Sequence, residues 1–120
     1  MPRPLVVKLT SGTSEPEKAN QAFTVAAAAL ASGSRVSLWL TGDASWFAVP
    51  GQAEEFALPH ATALADLRDA ILAGGTLTVC SQCAARRDLS EADLVPGARI
   101  AGAASFVEEA LGDEVQALVY

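Results

Sequence analysis

The two cysteines of the chain stand three residues apart, in Leu77-Thr-Val-Cys80-Ser-Gln-Cys83-Ala-Ala-Arg-Arg87. A β-rich run, Thr76-Leu-Thr-Val79, leads into Cys80, and an Ala-rich, helix-compatible run follows Cys83. Cys80 is therefore expected where a strand ends and a helix begins. Open α/β sheets place ligands at such junctions, and the free N–H groups of a helix start favour a thiolate over a thiol. Cys83, one helical turn on, would lie near Cys80 on the same side. There it could close a disulfide. The alternative is a pair of inert thiols packed in the core, because free cysteine is often buried. Spacing alone leaves both open, since reactivity depends on exposure and local charge.

Other chemistries fit the pair less well. A structural zinc site needs four ligands, often a second such pair, and the chain has no further cysteine and one histidine, His60. No metal and no cofactor are therefore expected. Thioredoxin-like motifs follow an early strand, whereas this one follows the third. His60, beside Pro59, reads as a helix-start or surface residue rather than a general base. The pairs Glu54-Glu55 and Glu108-Glu109 read as solvated faces. Thr10-Ser-Gly-Thr-Ser14 opens a helix and could bind an anion, but it lacks the Gly-Lys-Ser/Thr of a phosphate loop.

These residues need elements to hold them. A chain of 120 residues, 51% hydrophobic, is long enough for one domain with a single core, spanning 1–120. Leu5–Leu9 is expected as the first strand. A helix follows: Ser14 and Glu17 have the spacing of a capping box, and Pro16 falls where no backbone donor is needed. Its apolar face is Ala19, Ala22, Phe23, Ala26 and Leu30, and Gly33 ends it. Arg35–Leu40 is the second strand, with Trp39 making its second face partly apolar. Trp46–Val49 is a short apolar patch, and the stretch bracketed by Pro50-Gly51 and Pro59 resists assignment. Ala61–Ala73 is a helix with Leu64, Leu67, Ile71 and Leu72 inward, ended by Gly74-Gly75. Thr76–Val79 is the third strand, and a helical turn is expected after Ser90. Arg99–Ala101, a helix over Ala103–Leu111 with Phe106, Val107, Ala110 and Leu111 as its apolar side, and a strand over Glu114–Tyr120 complete the chain.

This alternation argues for a single three-layer α/β domain: a mainly parallel five-stranded sheet with helices on both faces. The order 2-1-3-4-5 is the expected one, as a common doubly wound arrangement. The loops after the first three strands then meet at one sheet edge. The candidate lining of that crevice is Thr10, Ser11 and Gly12 from the first loop, Thr41, Gly42, Asp43 and Trp46 from the second, and Ser81, Gln82 and Arg86 beside the two cysteines. Arg86 and Arg87 bring positive charge if either turns back. Trp46 and Phe47, being adjacent, are not expected to be buried together.

The net charge of −6 argues against nucleic acid or an anionic membrane as the main partner. No apolar stretch has the length of a membrane span, and no signal peptide is read at the start. Two cysteines without an export signal suggest a cytoplasmic setting.

The order of motifs resembles the DsrE/DsrF-like family, which includes the TusD-type sulfur-relay proteins. The match runs through the Thr/Ser/Gly loop after the first strand, Val36-Ser-Leu-Trp-Leu40 with its Thr-Gly-Asp turn, and Cys-x-x-Cys-Ala-x-x-Arg from Cys80. It continues through Asp93-Leu-Val-Pro-Gly-Ala98 and the final helix and strand. The resemblance implies an α/β domain that assembles into trimers or hexamers. It further implies that the residue at the Cys80 position carries a persulfide between donor and acceptor proteins. Trp46, Phe47, Phe56 and Leu58 are apolar side chains that a homo-oligomer, a dimer included, would bury.

The expected function is sulfur carriage on Cys80 with Cys83 as an auxiliary or resolving thiol. The alternatives are a Cys80–Cys83 redox module and a non-enzymatic oligomeric domain that binds a small ligand.

Overall fold

The computed structural model describes residues 2–120. Five parallel strands form one sheet in the order β4-β3-β2-β1-β5: β1 Leu5–Leu9, β2 Val36–Leu40, β3 Thr76–Cys80, β4 Arg99–Ala101 and β5 Gln116–Val119. The helices are α1 Pro16–Ala31, α2 Gln52–Glu55, α3 Leu64–Gly74, α4 Ser81–Arg86 and α5 Ala103–Ala110. Short 3-10 segments occupy Gly42–Ala48 and Glu91–Asp93. Among the described residues, no helix is long and apolar enough to cross a membrane.

The expected order 2-1-3-4-5 is wrong. β2 lies between β1 and β3, in register Val7↔Leu38 and Leu38↔Leu77. The reason is burial. β2 carries Leu38, Trp39 and Leu40, all essentially inaccessible, and a strand buried on both faces belongs in the middle of a parallel sheet. The order 2-1-3-4-5 would have put it on an edge. The actual edges are the two shortest strands, β4 and β5, whose residues stay half-buried or exposed. That brevity limits edge pairing.

Alternation along each strand sends Leu5, Val7, Leu9, Val36, Leu38, Leu40, Leu77 and Val79 to one side. There α1 and α3 lie side by side over them. The alanines of α1, buried at Ala19, Ala22 and Ala26, bring that helix close to the sheet. Phe23 meets Phe47 edge-on at 5.8 Å, and Phe47 meets Phe56 at 5.7 Å, within the favourable range for aromatic pairs. Phe47 and Phe56 thus find partners within the chain; most of the apolar patch at Trp46–Val49 falls in the 3-10 segment, and the stretch left unassigned after it holds α2. Trp46, its neighbour, is exposed, so the two aromatics do point apart.

Two local expectations change. Ser14 does not cap α1: Glu15 is the N-cap residue, without a side-chain cap, and Pro16 begins the helix. Ser14 lies one residue too far out, while Pro16 supplies the fixed φ of a first helical position. The capping box forms instead at Ser90 and Asp93. On α5, Val107 and Leu111 are exposed rather than inward, because the helix meets the sheet mainly through Phe106.

The connections decide where a crevice forms. Those out of β1, β2 and β3 stay on the α1/α3 side, where Ala84, Leu94, Val95 and Ala98 join the core. The connection out of β4 crosses to the other side as α5 and returns the chain to β5, beside β1. β3 and β4 therefore release their chains to opposite faces, the arrangement that opens a crevice at the carboxyl ends of strands. Cys80 is the last residue of β3.

Candidate functional site around Cys80

Cys80 ends β3 in extended backbone, φ −61 and ψ 131, and is the N-cap residue of α4. It follows the alternation of Thr76 and Thr78, so its side chain belongs to the α5 face of the sheet. There it opens into a cavity of about 320 Å3 lined by Lys8, Trp39, Thr41, Cys80, Ala103, Phe106 and Val107. Next to this cavity the chain passes close to the start of α4: a Cβ on Gly102 would come within 3.2 Å of Ser81 Oγ.

Burial of Cys80 opposes the thiolate. The backbone N–H groups of Cys83 and Gln82, the Cys83 thiol and the charge of Lys8 outweigh that, and hold the Cys80 thiol below the ordinary cysteine value. Cys83 is buried, and its Sγ accepts a hydrogen bond from the Gly42 N–H at 3.1 Å. The two cysteines thus differ in kind: Cys80 is half-buried and open to a cavity, whereas Cys83 lies behind it.

The cavity wall is a set of linked contacts. Trp39 meets Phe106 edge-on at 5.4 Å, and Lys8 Nζ stands 5.0 Å from the Phe106 ring centroid. Arg99 donates to Thr78 Oγ1 at 2.7 Å and to Glu109 at 2.6 Å, and Trp39 Nε1 donates to Glu109 at 3.2 Å. Burial raises the Glu109 pKa, but the Ser37 hydroxyl and the hydrogen bonds from Trp39 and Arg99 outweigh it and hold the carboxyl below its ordinary value. α5, which has no fully buried residue of its own, is thereby tied across the sheet.

The other residues singled out from sequence fall into three groups. Thr41 lines the Cys80 cavity, and Ser81 and Gln82 follow Cys80 directly. Thr10, Ser11, Gly12, Gly42 and Asp43 come together, but they close on one another. Thr10 Oγ1 donates to the Tyr120 carbonyl at 2.7 Å and Ser11 to Glu15 at 3.1 Å. A Cβ on Gly12 would lie 2.8 Å from the Asp43 carbonyl, and one on Gly42, at φ +54, would lie 2.9 Å from the Thr10 carbonyl. Only glycine allows these two loops to touch. Trp46 borders a separate cleft with Thr13, Ser14, Asp43 and Gln52, and Arg86 is exposed. Arg87 is the arginine that turns back, donating to Asp43 at 2.7 Å and to the Cys83 carbonyl at 3.1 Å. His60 is an exposed turn residue at φ 62, and among the described residues no three His, Cys, Asp or Glu side chains gather as metal ligands.

Sequence reasoning passed over Lys8 and Phe106. The signal for Lys8 was present: it is the charged residue of an otherwise apolar strand, Leu-Val-Val-Lys-Leu, one position before the carboxyl end. Alternation alone assigns it to the face opposite Val7 and Leu9.

Known structures share this architecture. E. coli YchN superposes with a TM-score of 0.82 at 17% identity, covering 99% of this chain and 100% of that one. The protein of unknown function MTH1491 from Methanobacterium thermoautotrophicum gives 0.75 at 8% identity, with coverage of 99% and 100%. At such identities the likeness concerns the fold. The uncharacterized protein MJ0760 of Methanocaldococcus jannaschii is 33% identical over 99 residues, which is 82% of this chain but 36% of that protein. The chain thus spans about a third of the length of this relative. The DsrE/DsrF-like family model matches residues 5–114, so the chain belongs to the DsrE/DsrF-like family, and that membership supports a sulfur-relay-related kind of function.

Proposed function

We propose that the protein carries sulfane sulfur as a persulfide on Cys80 and passes it to a partner. The observation that carries this reading is the Cys80 thiol itself, held below its ordinary pKa and open to a cavity that contains Lys8. The thiolate is the sulfur nucleophile. It attacks the sulfane sulfur of a donor, an S–S bond forms to Cys80, and the donor leaves as its own thiolate. An acceptor thiolate then attacks the outer sulfur and regenerates Cys80. Family membership supports the same chemistry.

Cys83 is the auxiliary thiol. Its contact with Cys80 also supports a second reading, a reversible Cys80–Cys83 disulfide. Both cysteines are unpaired, which suits a reducing cytoplasm. A homo-oligomer is part of the proposal. Val107, Leu111 and Val119 are large apolar side chains left exposed, and a subunit contact would cover them. Light scattering that returned a monomer would remove this part of it.

Intact mass spectrometry after incubation with a sulfane donor, without reductant, tests the carrier reading. A gain of one sulfur that reductant reverses, lost in Cys80→Ser and partly kept in Cys83→Ser, is expected. A loss of two hydrogens in wild type alone would favour the disulfide reading.

A further inference from the structure

The cavity beside Cys80 has one cation and no carboxylate in its lining. Among the described residues Lys8 forms no ion pair. Its ammonium rests over the Phe106 ring at 5.0 Å, while Arg99, a second cation of this face, is taken up by Glu109 and Thr78. Trp39, Ala103, Phe106 and Val107 make the remaining wall apolar and aromatic. A half-buried ammonium without a counter-ion, set in such a wall, is a place for an anion.

We propose that this cavity binds a small, singly charged hydropolysulfide, and that Lys8 holds the charge of this donor while Cys80 takes its sulfur. The inference rests on the carrier reading and names the donor class for it. The Cys80 thiolate draws chiefly on the backbone N–H groups of Cys83 and Gln82 and on the Cys83 thiol, with Lys8 the smallest contribution, so the ammonium can also serve the incoming anion. One cation balances one further negative charge. A dianion such as thiosulfate would bring a second, with only apolar wall to receive it, and an unpaired charge in such surroundings is costly. A chain of sulfur atoms is weakly polar and polarisable, and sulfur packs well against aromatic rings. The volume of about 320 Å3 admits a short chain.

The step balances without an added oxidant. The Cys80 thiolate forms an S–S bond to the unprotonated terminal sulfur of the hydropolysulfide, and the S–S bond behind that atom breaks. The electron pair leaves with a hydropolysulfide one sulfur shorter, or with hydrosulfide when the donor has two sulfurs. The proton stays on the departing fragment.

The test measures the rate of sulfur gain at Cys80 by mass spectrometry, with the two small donors sodium polysulfide and thiosulfate and with a persulfidated protein, in wild type, Lys8→Met and Lys8→Arg. Free cysteine gives the intrinsic ratio of the two donors, and alkylation by neutral iodoacetamide reports the thiolate fraction of each variant. The expected result is a polysulfide preference roughly tenfold above that of free cysteine, the low end of what local charge does to encounter rates. Lys8→Met should lower polysulfide loading several-fold more than it lowers alkylation, and Lys8→Arg should keep most of it. A preference equal to that of free cysteine, or a Lys8→Met variant in which both rates fall alike, would overturn the cavity's role. So would loading from a persulfidated protein alone, which would leave the carrier reading standing. A Cys80 that takes sulfur from none of the three donors contradicts the carrier reading itself.

Discussion

Under α1 and α3 the sheet presents Leu5, Val7, Leu9, Val36, Leu38, Leu40, Leu77 and Val79, closed by alanines and by the Phe23, Phe47 and Phe56 trio. Under α5 the same strands present Lys8, Trp39, Thr78 and Cys80, tied down by Arg99, Glu109 and Phe106. The first face is filled by large apolar contacts and offers the chemistry nothing. The second is held by a few polar and aromatic contacts, leaves a cavity open, and contains the thiol. The difference teaches that the fold separates its needs by strand parity. One residue of each pair builds the large core, and on the other face, where Val6, Trp39 and Thr78 are buried too, Lys8 and Cys80 near the carboxyl ends of their strands remain open to bind or react.

Mutations on the two faces should therefore separate stability from reactivity. Phe23→Ala, in the fully buried layer, is expected to cost about 3–5 kcal/mol and to leave Cys80 alkylation in the folded protein unchanged. Denaturant unfolding and iodoacetamide kinetics read the two effects. Phe106→Ala, on a half-buried residue, should cost only about 1–2 kcal/mol, yet alter the alkylation rate. An effect of equal size on both readouts for both variants would erase the distinction.

The packed side contains one charged device that sharpens the contrast. Arg68 is buried on α3, its side chain 5% exposed, and donates two hydrogen bonds to Glu54 on α2, whose side chain is 48% exposed. Those hydrogen bonds bring the Glu54 pKa down to about 2. A carboxylate depressed in the folded state stabilises above its ordinary pKa, and that contribution is lost as pH falls from about 4.5 towards 2. Glu54→Gln should flatten this part of the stability profile and cost about 1–2 kcal/mol near neutrality, since it strips a buried guanidinium of its main partner. Arg68→Met, of similar length and uncharged, should cost less. Cys80 reactivity should follow neither variant.

The smallest expected effect lies at the seam between the faces. Arg87→Ala removes the contacts to Asp43 and to the Cys83 carbonyl. Stability should fall by no more than about 1 kcal/mol, while Cys83, now less firmly covered, alkylates faster. Peptide mapping of the modified protein distinguishes the two cysteines.

Much of the layout was legible in the residues. The Cys80 junction followed from Thr76-Leu-Thr-Val79 and the Ala-rich run beyond it, and the α1 face from Ala19, Ala22, Phe23 and Ala26. Strand order was not, because periodicity says which face is buried and not which strands are neighbours. Even so, Leu38-Trp-Leu40 carried a clue: a strand apolar on both faces belongs inside the sheet. The cavity was only half legible. The loops after the first two strands did come together, but Gly12 and Gly42 spend that proximity on packing. The partners of Cys80 came instead from Lys8, visible through strand parity, and from Phe106, which no local pattern links to a residue twenty-six positions earlier. The exposure of Val107 and Leu111 was hidden for a related reason. An apolar helical stripe shows a surface to be covered and does not name the cover.

The most direct test of this division is the pH dependence of iodoacetamide alkylation, read separately at Cys80 and Cys83 by peptide mapping. The account predicts that Cys80 reacts first, with an apparent pKa below that of free cysteine, and that Lys8→Met raises it. Preferential alkylation of Cys83, or a Cys80 pKa at or above the ordinary value, would contradict it.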